Sequence, residues 1–247
     1  MTGPDKTCCP FDQPHISRRR AIGGGLAALL AGVGLYLIGG GGDETLNTLS
    51  ARLNYDLDAV RRGRSVPRIL TPSFGPGLEN IFDTTARKDL FIRIVLPIVL
   101  AENEKIKKKK HRIPVSLALA QGAIESGWGT ARFTIEGNSL FGEHAYNHAD
   151  DDIAPEEATG FRIRAFEDLS ASVSSYIANL NTHPEYAAFR RARAAIWATG
   201  QAPTGPALAA YLVSYSEERH AYIEKVTRII DENQLGDFDR AQLEPQP

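Results

Sequence analysis

The sequence predicts a mainly α fold: a helical domain with a small irregular β lobe, preceded by one transmembrane or signal helix. Three observations carry that prediction. Apolar residues recur at helical spacing in several separate stretches after residue 84. Strand-like alternation is confined to one short stretch, Thr159, Phe161, Ile163 and Phe166. Residues 21–42 contain neither a charged residue nor a proline.

In chain order, residues 1–20 are polar and end in Ser17-Arg18-Arg19-Arg20, an N-terminal segment expected in the cytoplasm. As a helix, residues 21–42 would extend about 33 Å, enough to cross a bilayer. Arginines precede this run and Asp43 and Glu44 follow it, so the positive-inside rule puts the rest of the chain outside. Ser17, Arg18, Arg19 and Ile22 also fit a twin-arginine export signal, with Ala21 where a bulky residue is usual and no A-x-A cleavage site following. The first expectation is an inner-membrane anchor with the main domain in the periplasm, and the second is export with cleavage. Residues 43–65 carry Leu46, Leu49, Leu53, Leu57 and Val60 at helical spacing and read as a stalk. Pro67, Pro72 and Pro76 mark an extended linker at the start of the main domain, residues 66–236. Residues 237–247 read as a disordered tail.

Within the main domain a helix is expected from about Thr85 to Lys110, kinked by Pro97. The next opens at Pro114, where a missing N–H costs nothing. It closes just after Glu125, because Gly127 and Gly129 flank Trp128 and favour a turn. After the polar stretch from Glu143 to Asp152, Asp168 caps a helix built on Leu169, Val173, Tyr176, Ile177 and Leu180. Helices are then expected over 185–199, 207–213 and 216–235, the last stopped by Gly236.

The chain has 247 residues, 43% of them hydrophobic and 23% charged, the profile of a globular protein. A net charge of −2 gives no general argument for nucleic-acid binding, and no aromatic stacking pattern accompanies the basic run Lys107 to Arg112. That run reads as a solvated helix end, with attraction to an anionic polymer or membrane surface as the alternative. Cys8 and Cys9 are the only cysteines, so neither a disulfide framework nor a cysteine zinc site supports the main domain. Glu143, His144, His148 and Asp150 to Asp152 resemble metal ligands by type only; without fixed geometry no metal and no cofactor is expected.

The chemistry concentrates at Glu125. A carboxyl in the last turn of a helix sits at the negative end of the dipole, and Trp128 beside it would exclude water. Both effects raise a carboxyl pKa, which suits a general acid that holds its proton near neutral pH.

LFIRIVLPIVLAENEKI (90–106), IPVSLALAQGAIESGWGTARFTIEGNSLFG (113–142), FEDLSASVSSYIANLNTHPEY (166–186) and LVSYSEERHAYIEKV (212–226) occur in this order. Together they resemble the Bax-type bacterial proteins of the endo-β-N-acetylglucosaminidase-like group, glycoside hydrolase family 73. The resemblance covers about residues 66–235. It implies a lysozyme-like helical fold that cleaves peptidoglycan after N-acetylglucosamine, with peptidoglycan glycan strands as partner. It also implies that Glu125 is the catalytic acid, that Trp128, Asn138 and Phe141 shape the sugar cleft, and that Tyr215 and Tyr222 lie at the active site. Glycosidases usually pair two carboxylates. The family's second acid lies in the small lobe, which offers Asp150, Asp151, Asp152, Glu156 and Glu157, with Glu156 and Glu157 preferred. The alternative is the substrate's own acetamido group as nucleophile. A lytic transglycosylase, or an inactive membrane-anchored glycan-binding module, would carry the same motifs.

Overall fold

The computed structural model describes residues 50–74, 78–81, 83–145, 152–153 and 162–246. In chain order its helices are α1 (Leu57–Arg61), α2 (Thr84–Lys105), α3 (Val115–Glu125), α4 (Arg132–Gly137), α5 (Leu169–Thr182), α6 (Ala187–Ala198), α7 (Gly205–Ala209) and α8 (His220–Glu232). Two short strands, β1 (Asp152–Ile153) and β2 (Ile163–Arg164), pair antiparallel with Ile153 opposite Ile163. The mainly helical expectation therefore stands, and the β element is confined to this hairpin among the described residues.

Helix α3 is the pillar. It is apolar around nearly its whole circumference, and a helix of that kind has no solvent face to offer. Every residue from Val115 to Ala123 is buried accordingly. Helices α2, α7 and α8 and the 3-10 segment Leu235–Arg240 pack around it. Helix α7 crosses closely enough that a Cβ on Gly205 would fall 2.9 Å from the Leu117 backbone nitrogen, so only glycine fits there.

Caps fix where the flanking helices begin. The Asp83 carboxylate accepts from the Thr85 N–H at 2.8 Å and starts α2. Asp168 accepts from the Ala171 N–H at 2.7 Å and starts α5, as its sequence position predicts. Helix α2 runs through Pro97 and ends at Lys105, short of the expected Lys110. Four adjacent lysines repel one another and bury nothing, so Lys109–His111 turn as a 3-10 segment instead.

Two boundaries differ from the sequence expectation. From Leu53 onward the expected stalk is folded against the domain: Leu53, Leu57 and Val60 belong to the same buried core as α3. Helix α1 lies against the 3-10 segment Leu235–Arg240, where Arg61 stands over the Phe238 ring at 5.1 Å. The expected tail is likewise held, with Phe238 fully buried and Val66 bridged to Leu243. Residues 21–42, where the membrane or signal helix is expected, lie outside the described residues. Among the described residues no helix is long and apolar enough to cross a membrane.

Candidate active site

Helix α3 stops at Glu125, where the flanking glycines predict, and the turn that stops it is unusual. Gly127, Trp128 and Gly129 all take positive φ, at 57°, 60° and 82°. For tryptophan this conformation costs on the order of 1 kcal/mol or more. It is held by the Trp128 N–H bonded to the Ala123 carbonyl at 2.9 Å and by the Gly129 N–H bonded to Ser126 Oγ at 2.9 Å. The indole meets Phe91 edge-on, 5.4 Å between centroids, under Lys88 Nζ at 5.0 Å. Trp128 thus joins the turn to α2.

A directed chain of hydrogen bonds ends on Glu125. The Tyr176 hydroxyl donates to Gln121 Oε1 at 2.7 Å. Gln121 Nε2 donates to the Tyr222 hydroxyl oxygen at 3.1 Å, and Tyr222 donates to Glu125 Oε1 at 2.8 Å. Gln121 and Glu125 share a face of α3, four residues apart, while Tyr176 comes from α5 and Tyr222 from α8. Burial pushes the Glu125 carboxyl above its usual value; the Tyr222 hydrogen bond and the Lys225 charge oppose the shift, and Glu218 adds to it. Burial, followed by the nearby Glu125 charge, holds the Tyr222 phenol well above its usual value, so it remains a neutral donor. Among the described residues no ion pair engages Glu125. Just before α8, Arg219 sits at φ 50°, so backbone strain flanks both members of the Glu125–Tyr222 pair.

The other expected residues are distributed around this chain. Tyr215 stacks on Tyr222, 5.4 Å between centroids at 16°. Phe141 is buried and stacks on Tyr176 at 3.9 Å, which makes it the support of the chain's first member. Asn138 adopts a left-handed conformation at the end of α4 and donates to the Phe166 and Glu167 carbonyls at 3.1 and 3.2 Å. It thereby ties α4 to the segment leaving the small lobe, with its own Oδ1 buried and lacking a hydrogen-bond partner. Glu156, Glu157, Asp150 and Asp151 lie outside the described residues, as does the side chain of Asp152.

Reading the sequence for chemistry missed Gln121 and Tyr176. Each falls within an apolar helical pattern, and the one available signal was a buried-helix position occupied by glutamine, which demands a partner. Glu143 is a further described carboxylate at the root of the lobe. Its Oε2 accepts from Ser175 Oγ at 2.8 Å, its Oε1 is buried without a partner, and burial raises its pKa. Among the described residues no group of three or more His, Cys, Asp or Glu is placed to hold a metal ion.

The family described as Glucosaminidase, mannosyl-glycoprotein endo-β-N-acetylglucosaminidase, matches residues 102–235, more than half of the chain and the whole stretch from α3 to α8. The chain belongs to the glucosaminidase family. It is 34% identical over 122 residues to Protein bax of Escherichia coli K12, a match spanning 49% of this chain and 43% of that protein's length. The catalytic domain of the autolysin Auto from Listeria monocytogenes superposes with a TM-score of 0.48 at 18% identity, covering 63% of this chain and 89% of that one. The glycoside hydrolase domain of FlgJ from Salmonella typhimurium gives 0.44 at 23% identity, covering 60% and 97%. Membership of the family rests on the sequence match.

Proposed function

We propose that this protein is a peptidoglycan hydrolase, an endo-β-N-acetylglucosaminidase that cleaves β-1,4 glycosidic bonds with Glu125 as general acid. The observation that carries the reading is the donor chain Tyr176–Gln121–Tyr222–Glu125, which ends on a carboxyl raised by burial. Because Oε1 is occupied as an acceptor, the proton of the neutral acid resides on Oε2, the oxygen that faces the leaving group in this mechanism. Protonated Glu125 donates to the glycosidic oxygen as positive charge grows on the anomeric carbon. Tyr222, held by Gln121 and backed by Tyr215, restrains the carboxyl while that proton is exchanged.

The counterpart that stabilises the anomeric carbon or activates water is a carboxylate of the small lobe or the substrate's acetamido oxygen. Glu156 and Glu157 remain the sequence candidates, and Glu143 joins them on the strength of its unpartnered Oε1. The wall substrate is the one implied by the resemblance to the Bax-type proteins of glycoside hydrolase family 73, which the 34% identity to Protein bax supports. Residues 21–42 are proposed as an inner-membrane anchor with the domain in the periplasm, on the sequence alone; cell fractionation with and without that segment tests it.

The activity is tested by digesting purified peptidoglycan and identifying the product ends by mass spectrometry. Reducing N-acetylglucosamine ends are expected from the wild type, with almost no product from Glu125→Gln. Equal release by both removes Glu125 from the mechanism. Anhydro-muramyl ends identify a lytic transglycosylase, and sedimentation with the wall without cleavage identifies a binding module.

A further inference from the structure

At the opposite end of α3 from Glu125, a cavity of about 570 Å³ opens beside Pro114 and Val115. Helix α3 has 11 residues, so the two places are about 16 Å apart along its axis. The cavity is lined by three cations, Lys109, Arg112 and Arg240, by two acids, Glu104 and Asp239, and by Trp197.

Both acids are already engaged. Arg68 reaches the two oxygens of Glu104 at 2.8 and 3.2 Å. Asp239 accepts from the Ser116 N–H and Oγ, each at 2.8 Å, and from the Gly205 N–H at 3.1 Å. Among the described residues no carboxylate pairs with Lys109, Arg112 or Arg240, and exposed Lys107, Lys108 and Lys110 extend the positive surface outward.

The turn carrying these charges is anchored by another cation. Arg193, only 3% exposed, donates to the His111 carbonyl at 3.0 Å and to Asn181 Oδ1 at 2.6 Å. Asn181 Nδ2 in turn donates to the same His111 carbonyl at 3.1 Å. Arg193 belongs to α6, the helix that carries Trp197, so the basic turn and the indole are held by one element. Burying a guanidinium without a carboxylate costs several kcal/mol before compensation. The His111 carbonyl and Asn181 Oδ1 offset that cost, so Arg193 fixes the basic turn without neutralising its charges.

We propose that this cavity binds an anionic oligomer, a chain bearing carboxylates or phosphates, with Lys109, Arg112 and Arg240 taking the anionic groups and Trp197 packing against its sugar or apolar face. The volume lies within the range of small-ligand sites, and a charge-assisted contact from each cation supplies specificity for the anion. The site is independent of the assignment of Glu125.

The test titrates the full chain with oligo(glycerol phosphate), with a disaccharide-tetrapeptide carrying free carboxylates, and with neutral chitotetraose. Tryptophan fluorescence is the readout, with Trp197→Phe identifying the reporting indole, and the titration is repeated at raised salt. Saturable, salt-sensitive binding of at least one anionic oligomer is expected, and which of the two binds distinguishes phosphate from carboxylate. Arg112→Glu and Arg240→Glu are each expected to weaken it by about tenfold or more, with Lys109→Glu as a third surface reversal and helical circular dichroism confirming the fold. Absence of saturable binding by both anionic oligomers, equal binding of chitotetraose, or undiminished binding in the folded variants overturns the proposal. Binding only to phosphatidylglycerol vesicles overturns it as well, since it assigns the patch to a membrane surface.

Discussion

A carboxylate at the C-terminal end of a helix is ordinarily left in water, where the dipole's cost is small. Glu125 is instead packed between α3 and α8 with one phenol donating to it. Burial and the hydrogen bond pull its pKa in opposite directions, and burial dominates. Removing the Tyr222 hydroxyl removes a hydrogen bond that favours the ionised form, so Tyr222→Phe raises the pKa further. A general acid is active while protonated; the alkaline limb of the pH–rate profile should therefore move to higher pH in Tyr222→Phe, with a rate loss of about tenfold at the optimum. Gln121→Glu should move it further, because the new carboxylate accepts from Tyr222 in place of Glu125 and adds a like charge. An unshifted limb in both variants would show that the chain does not control this proton. Glu125→Gln should lower the rate by about 10²-fold or more.

Among the elements, α3 and the turn after it were the most legible in the sequence. Ala118, Ala120 and Ala123 announce close packing, and Gly127 and Gly129 announce the stop. Gly129 is required on two grounds: φ is 82°, and a Cβ would meet Leu78 Cδ2 at 2.7 Å and Phe74 Cε1 at 2.9 Å. Gly129→Ala should cost about 2–3 kcal/mol by urea unfolding, as overpacking adds to backbone strain. The donor chain was less legible, because its members are separated by 55 and 101 residues, and no local pattern reveals which distant hydroxyl meets Gln121. Tyr222 was found only through family likeness. The apolar stripe of Leu53, Leu57 and Val60 was visible as a stripe, but spacing shows that a face is buried and not what buries it.

Taken as a whole, the molecule places several carboxyls in partly buried positions. Glu125, Glu143 and Asp239 all have pKa values raised chiefly by burial. The native state therefore keeps protons that the unfolded chain has already released. The stability these three groups contribute is fully present below the ordinary carboxylate range and is lost as pH rises from that range through the raised values. Asp56, lowered mainly by its hydrogen bond from the Ala59 N–H, opposes this, but it is exposed and contributes little. Urea midpoints measured across pH should accordingly fall on the alkaline side of this window, and Glu125→Gln should flatten the fall while gaining about 1 kcal/mol at neutral pH. A wild-type midpoint that rises through the window would contradict the burial of these groups.

The most direct measurement is the titration of the Glu125 carboxyl itself, followed by ¹³C NMR in the full chain and identified by its loss in Glu125→Gln. The wild-type resonance is predicted to titrate above the ordinary glutamate value, and that of Tyr222→Phe higher still. A wild-type carboxyl that titrates at or below the ordinary glutamate value would leave no proton for it to give.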